Sequence, residues 1–214
     1  MCPLMSKAKS GVRPPLIPEG TYHAVCYGVV DLGTQETQFG PKQKVAIFWE
    51  LPEERMDVVD QDGEKVSKPR VISGKFNNTI NIKALLGQLL TSWRGKPFSQ
   101  DEKDNFNLFD IIGANCLLGI VHNQVGDDVY ANVGTVVKLM KGMTIKTPEN
   151  PILRYSIEDN GLVIPEGVYD WVKDIIRKSA EHRGVEAGDS GEEQPYSEPE
   201  DMPPAVPTSD EIPF

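Results

Sequence analysis

The chain has 214 residues, of which 22 are Lys or Arg and 32 are Asp or Glu, so its formal net charge is −10. Nine of the acids and none of the bases lie in residues 185–214, which leaves residues 1–184 close to neutral. This length suits one domain with extensions. Because the negative charge is concentrated at one end, the overall acidity does not exclude a nucleic-acid binder.

Composition excludes several classes of protein. No run approaches the roughly 20 apolar residues of a membrane span, and residues 1–9 lack the apolar stretch of a secretory signal. The cysteines, Cys2, Cys26 and Cys116, show neither zinc-ligand spacing nor a disulfide framework. The last two lie in apolar runs typical of buried free thiols. We therefore expect a cytoplasmic protein with no membrane association and no cofactor.

The first part of the chain predicts an arm followed by three strands. Residues 1–20 contain four prolines and are expected to form a flexible arm. β-branched and aromatic residues predict strands over 21–32, 44–51 and 70–76. The acidic residues 50–64 are expected to form a solvated loop that begins where Pro52 ends the second strand.

Two helices are predicted after the third strand. Apolar residues at i, i+3, i+4 and i+7 spacing over 81–93 predict an amphipathic helix. Gly95 and Pro97 end this helix. The pair Ser99 and Glu102 predicts a capping box, and therefore a short second helix that starts there.

Further strands are predicted over 115–123 and 129–137, joined by a turn. Over 21–140 the element order is thus β, β, β, α, β, β. That is the order of the OB-fold, a five-stranded, partly open barrel, with an SH3-like barrel and a β-sandwich as alternatives. Within 141–184, a loop is followed by a last helix over 166–183, whose apolar stripe is expected to pack on the barrel. The predicted fold class is therefore mainly β.

The sequence carries no catalytic or phosphate-binding signature of the GxxxxGK[ST], GxGxxG, HExxH or GxSxG type. His23, His122 and His182 are isolated in the sequence, and the first two lie on predicted strands, where a structural role is expected. The acids of 50–64 lack EF-hand spacing. We therefore expect that the protein is not an enzyme, such as a nuclease, and that it holds no metal ion.

The distribution of basic residues indicates a surface that binds nucleic acid. Seven bases and no acid lie between Lys65 and Gln100, and strands two and three of an OB-fold form its binding face. Cations neutralise phosphates, and aromatic rings stack on unpaired bases for about 1–3 kcal/mol each. The residues assigned to DNA binding are Phe39, Lys42, Lys44, Phe48, Arg70, Lys75, Phe76, Arg94, Lys96 and Tyr130.

Several of these residues have a structural alternative. Phe48 shares a strand face with a lysine, which favours stacking, whereas Trp49 shares the opposite face with aliphatic residues, which favours the core. Since Lys75 and Phe76 are adjacent on a strand, one of them is expected to point inward. A core position is therefore the alternative for Phe76. Alternatively, Arg94 and Lys96 are only positive charges near the C-terminal end of the first helix, where they interact favourably with the helix dipole.

Residues 185–214 hold nine acids, six prolines and few apolar residues, so they are expected to be disordered. The segment ends in Asp210, Glu211, Ile212, Pro213 and Phe214. These five residues resemble the acidic tip of bacterial single-stranded DNA-binding proteins, in which acids precede a terminal Ile-Pro-Phe. In that family the tip docks onto replication and repair proteins, with the Phe ring in an apolar pocket. The resemblance implies a partner-binding role for the same five residues here.

The body resembles phage-encoded single-stranded DNA-binding proteins with an OB-fold. The resemblance is carried by 30–35 (VDLGTQ), 49–50 (WE) and 92–98 (SWRGKPF), and it covers about residues 20–180. The bacterial family's opening strand pattern and its Gly/Gln-rich linker are missing.

This resemblance implies a protein of the bacterial host cytoplasm that coats and protects single-stranded DNA with little sequence preference. It would act in replication and recombination and recruit partner proteins through its tip, and a homo-oligomer is left open. The alternative is an interaction module, in which the barrel binds protein and the acidic tail mimics DNA or captures a host replication factor.

Overall fold

The computed structural model describes residues 15–59 and 63–189, with side chains up to residue 184. Most of the acidic tail, including the tip 210–214, lies outside the described residues, as do residues 1–14 of the expected arm. Residues 185–189, assigned to the tail from the sequence, continue a helix instead.

Six strands form one sheet. They are β1 Gly20–Gln35, β2 Lys42–Val59, β3 Lys65–Asn77, β4 Asn115–Val125, β5 Asp128–Lys138 and β6 Leu153–Tyr155. The first five are antiparallel neighbours in the order β3-β2-β1-β4-β5, and β6 runs parallel to β1. The mainly β prediction is confirmed. The sheet does not close into a barrel, because no ladder among the described residues joins β3 to β5.

The helices lie between β3 and β4 and after β6. They are α1 Leu85–Arg94, α2 Gln100–Asn105, α3 Ile157–Asn160, α4 Asp170–Ile176 and α5 Ala180–Asp189, with a 3-10 turn at Leu108–Ile111. The predicted capping box is confirmed, since Ser99 and Glu102 each accept a hydrogen bond from the other's backbone N–H. The single helix predicted over 166–183 is wrong: α4 and α5 are separate, and the buried Ser179 lies between them.

Both faces of the sheet carry a hydrophobic core. On one face, α1 packs on β-strand residues that include Trp49, Cys26 and Cys116, and both cysteines are buried free thiols as predicted. The opposite face of β1 and β2 is covered by β6, α4 and the segments around them, through Tyr155, Val172 and other apolar residues. The C-terminal part of the chain therefore packs on the sheet, and it takes up the outer face of β1 and β2.

The acidic segment after Leu51 forms a β-hairpin and not the expected solvated loop. Strand β2 continues through Pro52 to Val59, and its last five residues pair with the first five of β3. A register shift between Leu51 and Arg55 accommodates Pro52, which has no N–H to donate to a ladder. Arg55 stabilises this hairpin by donating hydrogen bonds to the Ser67 carbonyl oxygen at 2.7 Å and to a Glu149 carboxylate oxygen at 2.6 Å.

A fully buried carboxylate positions the C-terminal segment on the sheet. Glu50 on β2 accepts hydrogen bonds from the backbone N–H groups of Glu149 and Asn150 at 2.7 and 2.9 Å. It also accepts one from the Asn150 side chain at 2.6 Å. These bonds satisfy the buried carboxylate. They also fix the segment that leads into β6 to strand β2, at a point three residues before β6 begins.

The last residues of the expected arm contact the body. Ile17 is buried, and its carbonyl oxygen lies 2.7 Å from His122 Nε2. Glu19 accepts a hydrogen bond from the backbone N–H of His122 at 2.7 Å. His23 Nε2 lies 2.7 Å from Asn115 Oδ1, so both strand histidines have the structural role predicted for them.

Candidate nucleic-acid interface

The residues assigned to DNA binding do not form one surface. Two of the three aromatic residues placed on strands are buried or partly buried. Phe48 is only 2% exposed and lies with ring centroids 5.7 Å from Tyr169 and 6.0 Å from Trp171. Its assignment as an exposed stacking residue is wrong, because the C-terminal segment covers the strand face that alternation alone leaves open.

Phe76 points into the core on the other face of the sheet. Its ring packs edge-on against Trp49 with 6.5 Å between centroids. Lys75, its neighbour on β3, is exposed on the outer face. The expectation that one of the two points inward is confirmed.

Lys75 lies beside an open groove between the edges of β3 and β5. The groove has a volume of about 300 Å³. Its lining comprises Phe48, Val71, Ile72, Ser73, Ala131, Tyr169 and Trp171. Trp171 is 41% exposed, and the Lys75 ammonium lies 5.8 Å from the centroid of a Trp171 ring. A cation and an indole face therefore meet at the gap that the open sheet leaves.

The aromatic wall of the groove is held in place from behind. The Tyr27 and Tyr169 hydroxyl groups share a hydrogen bond of 2.8 Å, and the Phe48 ring backs both Tyr169 and Trp171. Burial, reinforced by this hydrogen bond, raises the pKa of Tyr27, so the phenol stays neutral. The two exposed rings are consequently presented on a packed support, which limits the ordering cost of stacking on them.

Two further lysines extend the cationic surface along β2. Lys42, Lys44 and Ala46 alternate onto the same face of the strand, and Ala46 pairs directly with Lys75 on β3. Lys44 and Lys75 are thus diagonal neighbours, about 7–8 Å apart at the backbone. Phe39 is 78% exposed in the turn that precedes β2. We define the outer strip as six basic or aromatic residues on and beside the groove: Phe39, Lys42, Lys44, Lys75, Tyr169 and Trp171.

Arg94 and Lys96 lie elsewhere, at the end of α1, which packs on the opposite face of the sheet. Arg94 forms an ion pair with Glu102 and stacks on the Phe98 ring at 4.6 Å from its centroid. The Lys96 ammonium is 3.9 Å from the same carboxylate. The Arg94 hydrogen bond is the main reason that the pKa of Glu102 falls to about 2.

The remaining two assigned residues lie apart from the outer strip. Arg70 is occupied by hydrogen bonds to the carbonyl oxygens of Pro15 and Leu16. Tyr130 is 43% exposed, and its hydroxyl lies 3.4 Å from an Asp128 carboxylate oxygen. Tyr130 precedes Ala131, which lines the groove, but successive residues of a strand point to opposite faces and Tyr130 itself does not line the groove.

Sequence reasoning missed Tyr169 and Trp171. Trp171 follows the apolar spacing of its helix, which predicts a buried position alongside Val172 and Ile176. The structure buries the latter two and leaves the indole partly exposed. Trp171 lies at the margin of the helix's apolar stripe, next to the polar face. This position is the one sequence signal that could have indicated a partly exposed ring.

Neither a metal centre nor a membrane-spanning helix is found in the described part of the chain. No group of three or more His, Cys, Asp or Glu residues is arranged to hold a metal ion within 15–59 and 63–189. None of the helices there combines the length and apolar character needed to cross a bilayer. No protein-family model matches the chain, and no curated protein matches its sequence.

Proposed function

We propose that the protein binds single-stranded DNA with little sequence preference on the outer strip. The proposal rests on one observation, the Lys75 ammonium 5.8 Å from the exposed Trp171 ring at an open groove. A cation beside a ring satisfies a phosphate and a base together, whatever the base, because every base has a face for stacking. The protein would coat and protect the strand in phage-type replication and recombination.

The chemistry favours an unpaired strand over a duplex. The faces of Trp171 and Tyr169 can stack only on bases that are not enclosed in a double helix. A groove of about 300 Å³ accommodates a base or two, but not a duplex. The strip also offers no planar amide or guanidinium group for reading base edges, and this favours binding without sequence readout.

Strand order supports an OB-type architecture for this surface. β1 pairs with both β2 and β4, a helix lies between β3 and β4, and the gap falls between β3 and β5. We interpret the sheet as an OB-fold that is open at this gap. OB-folds bind oligonucleotides on strands two and three and the adjoining loops. The lysines and Phe39 of the outer strip occupy β2, β3 and the turn before β2, and Tyr169 and Trp171 are added from the start of α4.

The tip, residues 210–214, is proposed to recruit replication or recombination proteins in the cytoplasm of a bacterial host. The support is the resemblance of its sequence to the tip of bacterial single-stranded DNA-binding proteins. A charged segment with a terminal aromatic anchor suits capture by a basic, apolar pocket on a partner.

A protein-interaction module is the second candidate. It is favoured by the near-neutral body and by the internal engagement of Arg70, Arg94 and Arg55, which leaves few arginines available for phosphates. On that alternative, the outer strip would contact a protein surface and the affinity for oligonucleotides would be negligible.

Fluorescence anisotropy with a labelled oligothymidine and the full chain distinguishes the two. We expect binding to the single strand, much weaker binding to a duplex of equal length, and a salt dependence set by the lysines of the strip. With about 0.7 units of slope per phosphate contact, three lysines give a slope of about −2 in log K against log salt. Equal affinity for duplex, or no binding at 50 mM salt, would refute the proposal.

A further inference from the structure

The chain enters the described structure through a short segment that is fixed at two points. Arg70 on β3 donates hydrogen bonds to the carbonyl oxygens of Pro15 and Leu16. The next residue, Ile17, is buried, and its carbonyl oxygen lies 2.7 Å from Nε2 of His122 on β4. The segment therefore bridges β3 and β4, which are not neighbours in the sheet.

Both contact points adjoin the groove between β3 and β5. Arg70 shares a face of β3 with Ile72, which lines the groove and lies about 7 Å further along the strand. His122 pairs with Ala131 of β5, and Ala131 lines the groove as well. Lys75 lies beyond the other end of the β3 residues that line the groove. The chain thus enters the fold at the end of the groove that is opposite to Lys75.

The residues that precede this segment are basic. Residues 1–18 contain Lys7, Lys9 and Arg13 and no acid. They double the number of bases that the outer strip supplies, which has three lysines. The most distant of the three, Lys7, is eight residues before Pro15, and eight residues span at most about 30 Å of extended chain. All three bases are therefore within reach of a strand that leaves the groove at this end.

We propose that these three bases bind phosphates of the same single strand that occupies the outer strip, at the point where it leaves the groove beside Arg70. The inference rests on the proposed function and adds phosphate contacts to its site. Lysine and arginine neutralise phosphates whatever the base, so the contact is compatible with binding that has little sequence preference.

The proposal gives Arg70 a different role from the DNA contact expected from the sequence. Its guanidinium donates to two carbonyl oxygens of the entering segment. Those bonds fix where the basic residues begin, beside the groove. Arg70 is accordingly a positioning residue, which acts on the strand through the three bases that precede Pro15.

Salt titrations of oligothymidine binding by the full chain test the proposal. The arm variant carries Lys7→Gln, Lys9→Gln and Arg13→Gln. At about 0.7 units per phosphate contact, its slope in log K against log salt should be about −2, the value for the strip lysines, against about −4 for the wild type. The affinity advantage of the wild type should consequently shrink about 20-fold between 50 and 200 mM salt.

The outcomes that contradict the proposal are distinct. Equal slopes for the two chains would overturn it, and an acidic protein would then be the better candidate partner for these bases. Absence of binding by both chains would refute the proposed function and this inference together. A matched variant removes the same charge from lysines beside α1 and after β5, none of which lines the groove: Lys83→Gln, Lys96→Gln and Lys141→Gln. If it lowers the slope as much as the arm variant does, the attraction is to overall charge and the proposal fails.

A double-mutant cycle tests the positioning role of Arg70. Arg70→Met keeps an aliphatic stem and removes the donors to Pro15 and Leu16. It should weaken oligothymidine binding several-fold in the wild-type chain and have little further effect in the arm variant, because the bases that it positions are then absent. Equal weakening in both backgrounds would overturn this role and indicate a direct contact between Arg70 and the strand.

Discussion

Replacing Trp171 by alanine removes the largest ring of the outer strip from the proposed DNA contact. The indole is 41% exposed, with Phe48 packed against it and the Lys75 ammonium 5.8 Å from its ring centroid, so its exposed part is expected to contact one base. Removing a single base–aromatic stack costs about 1–3 kcal/mol. At about 1.4 kcal/mol per factor of ten, we expect Trp171→Ala to weaken oligothymidine binding about 5- to 150-fold.

The salt dependence distinguishes a stacking interaction from a phosphate contact. Trp171→Ala removes no phosphate contact, so the slope of log K against log salt should equal that of the wild type. Lys75→Gln removes one phosphate contact and should reduce the slope by about 0.7. Anisotropy titrations of both variants at four salt concentrations provide this comparison.

Two further variants control for indirect effects. Trp171→Phe keeps a ring and should retain most of the affinity. Leu85→Ala removes an exposed apolar side chain from α1, on the other face of the sheet, and should retain all of it. Thermal unfolding checks that each variant is folded. The reasoning fails if Trp171→Ala binds as tightly as the wild type, or if Leu85→Ala weakens binding to the same extent.

Three other predictions concern stability, which we would measure by chemical denaturation. Glu50→Ala should lower the unfolding free energy by about 3 kcal/mol or more, since it leaves three partly buried donors without this partner and each unsatisfied donor costs about 1–3 kcal/mol, whereas the exposed Glu53→Ala should have little effect. Gly33→Ala adds a Cβ within 2.6 Å of a buried serine side chain at a φ of 68°, and should cost more than Gly40→Ala, whose φ of 86° carries only the left-handed strain of about 1–2 kcal/mol. The pKa of Glu102 is lowered, so its stabilising contribution is fully present above about pH 4.5 and disappears as the pH falls towards 2. Glu102→Gln should therefore flatten the pH dependence of the unfolding free energy between these values. An unchanged curve would contradict the ion pair.

The proposed surface was only partly accessible to reasoning from the sequence. The bases of β2 and β3 and the exposed Phe39 follow from strand alternation and turn composition, which are local properties. Tyr169 and Trp171 reach the same groove from about 95 residues further along the chain than Lys75. No local pattern indicates which strand face a distant helix covers, so these two rings could not be assigned to the interface.

The sequence by itself determined the types of the long elements, because a period of two or of 3.6 residues reflects which side of each element meets the core. It also determined the capping box at Ser99 and the inward orientation of Trp49. Only the tertiary structure decided that the outer face of β1 and β2 is covered. Packing of α4 and β6 there buries Phe48 and exposes Trp171, since a face that is solvated in a bare sheet becomes core once another segment lies on it.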